Sequence, residues 1–245
     1  MPIKWNFKFL SQFVLLSVLA LVIMNVACSF ITHGIASLAA AFYPGALYFV
    51  KTEKKLVALT IDDGPDSETT QEILAVLEQH GAKATFFLIS SNVAGNEEVV
   101  AQIIQQGHEL GNHMTHDEPT IKLTKSEFVD KFNKADCILS KFAKVRWFRP
   151  GSGWYSSEMI DYLVKDKRGY LCALGSVYPF DANISSLSFA VAFISLNVKP
   201  GAIIILHDRG KRGKRTVETL KRVLPKLKRR GYKIVTLTEL YQTKL

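Results

Sequence analysis

The stretch VALTIDDGP, which runs from Val57 to Pro65, decides the fold class of this chain. Its first five residues are apolar or β-branched, and such a run predicts a strand that is buried on both faces. Two adjacent carboxylates and a Gly-Pro turn end the run. We therefore expect a buried strand that carries acidic side chains at its carboxyl end.

The chain beyond this strand alternates between further strands and helices. Short apolar runs predict six more strands, at 84–89, 108–112, 146–149, 170–174, 202–206 and 233–237. Helical spacing of apolar residues predicts helices between them, at 68–79, 125–143, 156–167, 187–197 and 216–230, with one more that ends near residue 106. This alternation implies a parallel sheet. Seven such units favour a small or incomplete β/α barrel over an open doubly wound sheet.

Several functional classes lose support from what the sequence lacks. No GxGxxG or GxxxxGK[ST] motif follows the first strand, so nucleotide binding is without its usual signature. The three cysteines, Cys28, Cys137 and Cys172, are odd in number and include no CxxC pair. They predict neither a disulfide framework nor a thiolate metal site.

The net charge of +9 is local rather than general. Residues 209–233 contain twelve of the 31 Lys and Arg residues and a single acid, Glu218. The leucines at 220, 224 and 227 recur at helical spacing, so the cations of the helix predicted at 216–230 fall on the outer face of an amphipathic helix. That face is either simply solvated or contacts anionic lipid or wall polymer. We expect no nucleic-acid partner.

The N-terminal residues predict export. From Phe9 to Val50 there is no Asp, Glu, Lys or Arg, whereas Lys4 and Lys8 precede that run. We interpret 1–8 as a short cytoplasmic N-terminus, 9–31 as a transmembrane anchor or uncleaved signal, 32–42 as a linker and 43–245 as the exported domain. A cleaved signal peptide is the alternative. The first interpretation predicts a single-pass protein of the cell membrane with its domain on the periplasmic or extracellular side.

Polar residues follow most of the predicted strands directly. In a β/α barrel, the carboxyl ends of the strands form the face where chemistry takes place. The residues found there are Asp62, Asp63, His113, His116, Asp117, Arg149, Asp181, His207 and Asp208. One carboxylate, one His and a further His or Asp suffice for a three-ligand metal site. A spare carboxylate and a spare His then serve as base and acid.

Five segments in chain order, LTIDDGP, GNHMTHDEP, FRPGSG, VYPFDA and IILHD, resemble the motifs of the polysaccharide deacetylases. This family is the NodB-homology domain, or carbohydrate esterase family 4. The resemblance extends over about Tyr43–Leu240. It implies a distorted (β/α)7 barrel that uses a metal ion to hydrolyse acetyl amides or esters on a surface polysaccharide. Typical substrates are peptidoglycan and chitin-like glycans.

The resemblance also implies roles for individual residues. Asp62 matches the catalytic base, and Arg149 matches the arginine that orients it. His207 matches the catalytic acid, and Asp181 matches the aspartate that orients this histidine.

The implied metal site departs from the family pattern at one position. Asp63 and His113 match two of the ligands. The family places a second histidine four residues after the first, and here that residue is Asp117, with His116 beside it. We expect Asp117 to be the third ligand, with His116 as the alternative. One divalent ion is implied, Zn²⁺ first, although a carboxylate ligand shifts preference toward Co²⁺, Mn²⁺ or Fe²⁺.

Three residues are expected at the substrate. Leu206 would line the acetyl pocket, Ser152 lies nearest the family's oxyanion position, and Trp154 would stack on a sugar ring or join the core. We expect a monomer that acts on a polysaccharide. Two alternatives stay open, because the second and third motifs diverge. One is a catalytically inactive carbohydrate-binding relative, and the other is a metal hydrolase for a different ester or amide.

Overall fold

The computed structural model describes residues 37–38 and 40–245. Its strands are β1 (Ala46–Leu47), β2 (Leu56–Asp62), β3 (Ala84–Leu88), β4 (Glu109–Asn112), β5 (Trp147–Phe148), β6 (Leu171–Ala173), β7 (Ile203–His207) and β8 (Lys233–Val235). Its helices are α1 (Thr69–Gln79), α2 (Glu97–Gln105), α3 (Lys125–Leu139), α4 (Ser157–Lys165), α5 (Leu187–Asn197), α6 (Gly210–Arg229) and α7 (Leu237–Tyr241). The predicted alternation of strands and helices is therefore confirmed.

The strands form one parallel sheet that curls toward closure. Their order is β1-β6-β5-β4-β3-β2-β7, with β8 beside β2, and every ladder is parallel. Isolated bridges from Phe49 to Ala202 and from Val177 to Ile204 join the two ends of this order. The result is the expected distorted barrel. Strand β1, which the sequence did not predict, takes part in closing it.

Strand β2 lies at the centre of this arrangement. Every residue from Val57 to Asp62 is buried, because β3, β7 and β8 all pair with it. The register places Asp62 opposite Phe87 on one side and His207 on the other. The carboxyl ends of β2 and β7 therefore bring an acidic and an imidazole side chain to the same point.

An aromatic cluster holds the outer helices α3 and α4 against the sheet. Phe132 lies between Phe148 of β5 and Tyr162 of α4, with ring centroids 5.5 and 5.6 Å away. Tyr170 packs edge-on against the same ring at 4.8 Å. Helix α3 begins at a capping box in which Thr124 and Glu127 satisfy each other's backbone N–H groups, which fixes where its apolar face begins.

Helix α6 begins six residues earlier than predicted. The helical spacing of Leu220, Leu224 and Leu227 predicts a start at Thr216. In the structure, Gly213 is buried in the first turn, and a Cβ there would lie 2.5 Å from the Cβ of Thr69. Glycine is needed because this turn packs directly against α1. The extra turns carry Arg212 to the carboxyl ends of the strands.

The predicted membrane anchor at 9–31 lies outside the described residues. Within 37–38 and 40–245, no helix combines the length and apolar character needed to span a bilayer.

Replacement of Phe132 by Ala tests the aromatic cluster. Loss of this fully buried ring should lower the free energy of unfolding by about 3–5 kcal/mol. Chemical denaturation of the purified chain measures the change. The matched control is Phe189→Ala, because that ring is 40% exposed. Equal losses in the two variants would contradict the assignment of Phe132 to the core.

Candidate active site

A cavity of about 570 Å³ opens at the carboxyl ends of the strands. Seven residues proposed from the sequence line it: Asp62, Asp63, His113, Asp117, Arg149, Ser152 and His207. They come from β2, β7 and the segments that follow β4 and β5. The parallel sheet therefore brings together side chains that are far apart in the chain.

Arg149 is buried beneath this cavity and holds Asp62. Its Nη1 donates to Asp62 Oδ1 at 2.6 Å and to Thr60 Oγ1 at 2.7 Å. Its Nε and Nη2 donate to the carbonyls of Ala173 and Leu174, both at 3.0 Å. Burial lowers the pKa of Arg149, and the neighbouring carboxylate of Asp62 counters that effect. One oxygen of Asp62 is thus fixed, and the carboxylate remains at the cavity wall.

Asp181 orients His207 through both of its carboxylate oxygens. Oδ1 lies 2.9 Å from the ring Nδ1, and Oδ2 accepts the backbone N–H of His207 at 2.9 Å. A proton on Nδ1 is therefore favoured, which leaves Nε2 as the nitrogen available to a ligand. Burial by itself would lower the pKa of His207, but the hydrogen bond to Asp181 and the charges of Asp62 and Asp63 raise it overall.

Asp63 and His113 form a pair suited to a divalent ion. The Nδ1 of His113 lies 2.8 Å from the carbonyl of Arg149, so a proton there leaves a lone pair on Nε2. Nε2 lies 3.5 Å from Asp63 Oδ1. Two ligand atoms at roughly 2.1 Å from a tetrahedral ion are about 3.4 Å apart. The spacing of Asp63 and His113 therefore fits a shared divalent ion. In the described part of the chain, no three His, Cys, Asp or Glu side chains lie close enough together to hold a metal ion.

Asp117 and His116, the two candidates for the third metal ligand, line different cavities. Asp117 lines the main cavity, although its side chain is 62% exposed. His116 instead lines a separate surface cavity with Cys137, and its Nδ1 lies 3.1 Å from Thr115 Oγ1. Of the two candidates, the structure brings only Asp117 to the cavity that contains Asp63.

Arg212 is the residue that the sequence analysis missed. Its Nη1 lies 2.9 Å from Asp63 Oδ2, and its Nη2 lies 3.8 Å from Asp117 Oδ2. Burial alone would raise the pKa of Asp63, but His113, His207 and Arg212 lower it overall. Arg212 precedes the helix predicted at 216–230, so only the early start of α6 brings it to the cavity.

The remaining polar residues of the strand ends support the site. Asp208 is fully buried, accepts from Thr69 Oγ1 at 2.5 Å and also from Thr70, and thereby ties β7 to α1. Burial raises the pKa of Asp208.

Tyr178, a second residue missed from the sequence, lines the cavity beside His207. Burial and the nearby Asp181 raise the pKa of Tyr178 to about 12, so its hydroxyl keeps its proton at neutral pH.

The prediction that Leu206 lines the acetyl pocket is wrong. Leu206 has no exposed surface and belongs to the core, whereas Ile205 and His207 are partly exposed and line the cavity. Side chains alternate between the two faces of a strand, so a residue next to His207 must point the opposite way. Ile205, two residues before His207, is the apolar residue on the correct face.

The two residues proposed after Arg149 have different positions. Ser152 lines the cavity and has a positive φ of 63°. Trp154 does not line the cavity and is 62% exposed. Contact between Trp154 and a sugar ring stays a prediction.

Comparisons with known proteins identify the family. A family model described as polysaccharide deacetylase matches residues 49–168. A peptidoglycan-N-acetylglucosamine deacetylase of Bacillus cereus is 34% identical over 204 residues, which cover 80% of this chain and 92% of that protein. The chain belongs to the polysaccharide deacetylase family, the NodB-homology domain of carbohydrate esterase family 4.

Solved structures share the fold over most of the chain. The peptidoglycan N-acetylglucosamine deacetylase Bc1960, solved with a bound hydroxamate, superposes with a TM-score of 0.77 at 29% identity, covering 84% of this chain and 97% of its own. BA3943 of Bacillus anthracis, a pseudoenzyme of the family, gives 0.74 at 29% identity, with coverage of 82% and 70%. An acetyl xylan esterase of Clostridium thermocellum with a cobalt ion gives 0.70 at 29% identity, with coverage of 76% and 90%.

Replacement of Asp181 by Asn tests the orientation of His207. Removal of the carboxylate takes away the main interaction that raises the pKa of this histidine. In the variant, the imidazole should therefore lose its proton at lower pH than in the wild-type chain. NMR titration of the assigned His207 ring measures the change, with His80 as an internal reference outside the cavity. An unchanged titration of His207 would contradict the assignment.

Proposed function

We propose that this chain is a metal-dependent deacetylase that removes acetyl groups from an N-acetylated cell-wall polysaccharide. The observation that carries the proposal is the pairing of Asp62 with His207 at the ends of neighbouring strands. Each has its own buried partner, Arg149 or Asp181, and both face one cavity with Asp63 and His113. This arrangement provides a base, an acid and two metal ligands around one space.

The relatives support peptidoglycan as the substrate class. The Bacillus cereus relative named above is a peptidoglycan-N-acetylglucosamine deacetylase, and the match includes nearly its whole length. The cavity also offers apolar side chains, Leu174 and Ile205, for the methyl of an acetyl group. A chitin-like glycan or an O-acetylated polysaccharide would present the same acetyl group.

Asp62 is proposed as the general base. Arg149 occupies its Oδ1, so Oδ2 is left to take a proton from the water that attacks the acetyl carbonyl carbon. The same ion pair holds the carboxylate in one position at the cavity wall, as a base requires.

His207 is proposed as the general acid. With Nδ1 directed at Asp181, a proton on Nε2 can pass to the leaving amine of the sugar. The interaction with Asp181 stabilises the imidazolium, so the acid keeps its proton to higher pH. Asp181 is therefore a positioning residue rather than one that contacts substrate.

Asp63 and His113 are proposed to hold one divalent ion, with Asp117 as the third ligand. A bound ion of this kind polarises the acetyl carbonyl and acidifies its water. The mixed carboxylate and imidazole donors suit Zn²⁺, Co²⁺, Mn²⁺ or Fe²⁺. The cobalt ion in the acetyl xylan esterase supports this proposal.

The place of action is part of the proposal. The apolar run at 9–31 and the lysines before it support a single-pass anchor that holds the domain outside the cell membrane. A polysaccharide of the cell wall is the substrate available on that side.

A catalytically inactive, carbohydrate-binding role is the second candidate. The observation that favours it is Arg212, which lies against Asp63 and Asp117 where an ion would bind. BA3943, with the same fold, is a pseudoenzyme, and a mutant of it has restored enzymatic activity.

Acetate release distinguishes the two candidates. The purified chain is treated with chelator, then supplied with Zn²⁺, Co²⁺ or Mn²⁺, and offered N-acetylated peptidoglycan, acetylated chito-oligomers and O-acetylated xylan. We expect metal-restored release from the N-acetylated substrates. Absence of release with every ion, while the oligomers still bind, would establish the inactive role instead.

Replacement of Asp62 by Asn tests the proposed base. The amide keeps the size of the side chain but cannot accept the proton, so turnover should fall by about 10²–10⁴-fold. Asp130→Asn is the matched control, because that carboxylate is exposed and pairs with Lys134 on the surface of helix α3. Acetate release and thermal unfolding are measured for both variants. Activity close to wild type in Asp62→Asn would refute the role of Asp62.

A further inference from the structure

The first two turns of α6 fix the position of Arg212 independently of the carboxylates that it contacts. Gly213 packs against Thr69 with no space for a side chain. Thr216 Oγ1 donates to the carbonyl of His207 at 2.6 Å, and Arg215 Nη2 donates to the carbonyl of Asp181 at 2.9 Å. Three contacts within these two turns therefore hold the helix beside the cavity.

The guanidinium of Arg212 joins two of the proposed metal ligands. Its two terminal nitrogens lie 2.9 Å from Asp63 Oδ2 and 3.8 Å from Asp117 Oδ2. The Asp63 side chain is 5% exposed, the Arg212 side chain 34% and the Asp117 side chain 62%. The contact with Asp63 is thus largely shielded from solvent, whereas Asp117 is mostly exposed.

The carboxylates that line the cavity favour a positively charged side chain beside them. Asp62 already has Arg149 as its partner, but Asp63 and Asp117 bring two more carboxylates to the same space. Arg212 is the permanently charged side chain that lies against both of them. An arginine side chain keeps its charge at all physiological pH values and has no lone pair with which to bind a metal ion. It therefore repels a metal ion that approaches the same carboxylates.

We propose that Arg212 is a built-in competitor for the divalent ion at Asp63, His113 and Asp117. An ion can use both carboxylates only after the guanidinium has moved away from them. Arg212 therefore sets the metal affinity of the site. Asp117 supplies the second carboxylate that this arginine contacts. The inference rests on the metal site of the proposed function but concerns affinity rather than turnover.

Calorimetric titration of the chelator-treated chain with Co²⁺ tests the inference. Arg212→Gln removes the competing charge and should bind Co²⁺ about tenfold or more tightly than the wild-type chain. Arg212→Lys keeps the charge and should bind much as the wild type does. Asp63→Asn should abolish the tight site in the wild-type and Arg212→Gln backgrounds alike, which locates the ion.

Lys214→Gln is the matched control for net charge. Lys214 lies on the same helix and pairs with Glu68 and Glu72 at the surface, away from the cavity. Its loss should leave the Co²⁺ affinity unchanged. Thermal unfolding of each variant shows that the fold is intact.

Two results would overturn the inference. The first is an Arg212→Gln variant that binds Co²⁺ no more tightly than the wild type, and the second is a failure of both proteins to bind Co²⁺. Acetate release is measured separately. A chain that deacetylates but shows no effect of Arg212 refutes this inference alone, whereas tight Co²⁺ binding without acetate release refutes the proposed function alone.

Discussion

The buried ion pair between Arg149 and Asp62 is the interaction on which the cavity depends. The guanidinium also binds two carbonyls at the end of β6 and lies 4.0 Å from the ring centroid of Phe87, so it joins β2, β3, β5 and β6 beneath one site. A buried charge is costly unless its partners satisfy it, and every nitrogen of Arg149 has one. The same pair separates two adjacent carboxylates. Asp62 is held by Arg149, whereas Asp63, at a φ of 75°, turns to His113 and Arg212.

This separation gives neighbouring residues different chemistry. Asp62 has one oxygen bound and the other at the cavity, the arrangement that proton transfer requires. Asp63 lies between an imidazole and a guanidinium, the arrangement that suits exchange of one cation for another. His207 completes the cavity from the next strand, with both oxygens of Asp181 committed to holding it. The different roles proposed for Asp62, Asp63 and His207 therefore depend on the partner that each side chain contacts, and not on residue type alone.

Much of this arrangement could be predicted from the sequence. The apolar runs located β2, β3 and β7 within a residue or two, because burial on both faces demands such runs. The choice between His116 and Asp117 needed the fold, since both offer ligand chemistry at helical spacing. Leu206 was misassigned although the alternation of strand side chains already pointed to Ile205. Arg212 was missed because the leucine spacing predicts a helix only from Thr216, after this residue. The packing of Gly213 against Thr69 shows why the earlier turn of the helix needs glycine.

We propose that Asp63, and not Asp62, is the carboxylate that binds a metal ion. A crystal structure of the chain grown with Co²⁺, with the ion located by anomalous scattering, would show which of the two does so. We expect an ion on Asp63 and His113, an unchanged pair between Arg149 and Asp62, and Arg212 displaced from Asp63. An ion bound to Asp62, or a cavity without Co²⁺ in which Arg212 still contacts Asp63, would contradict it.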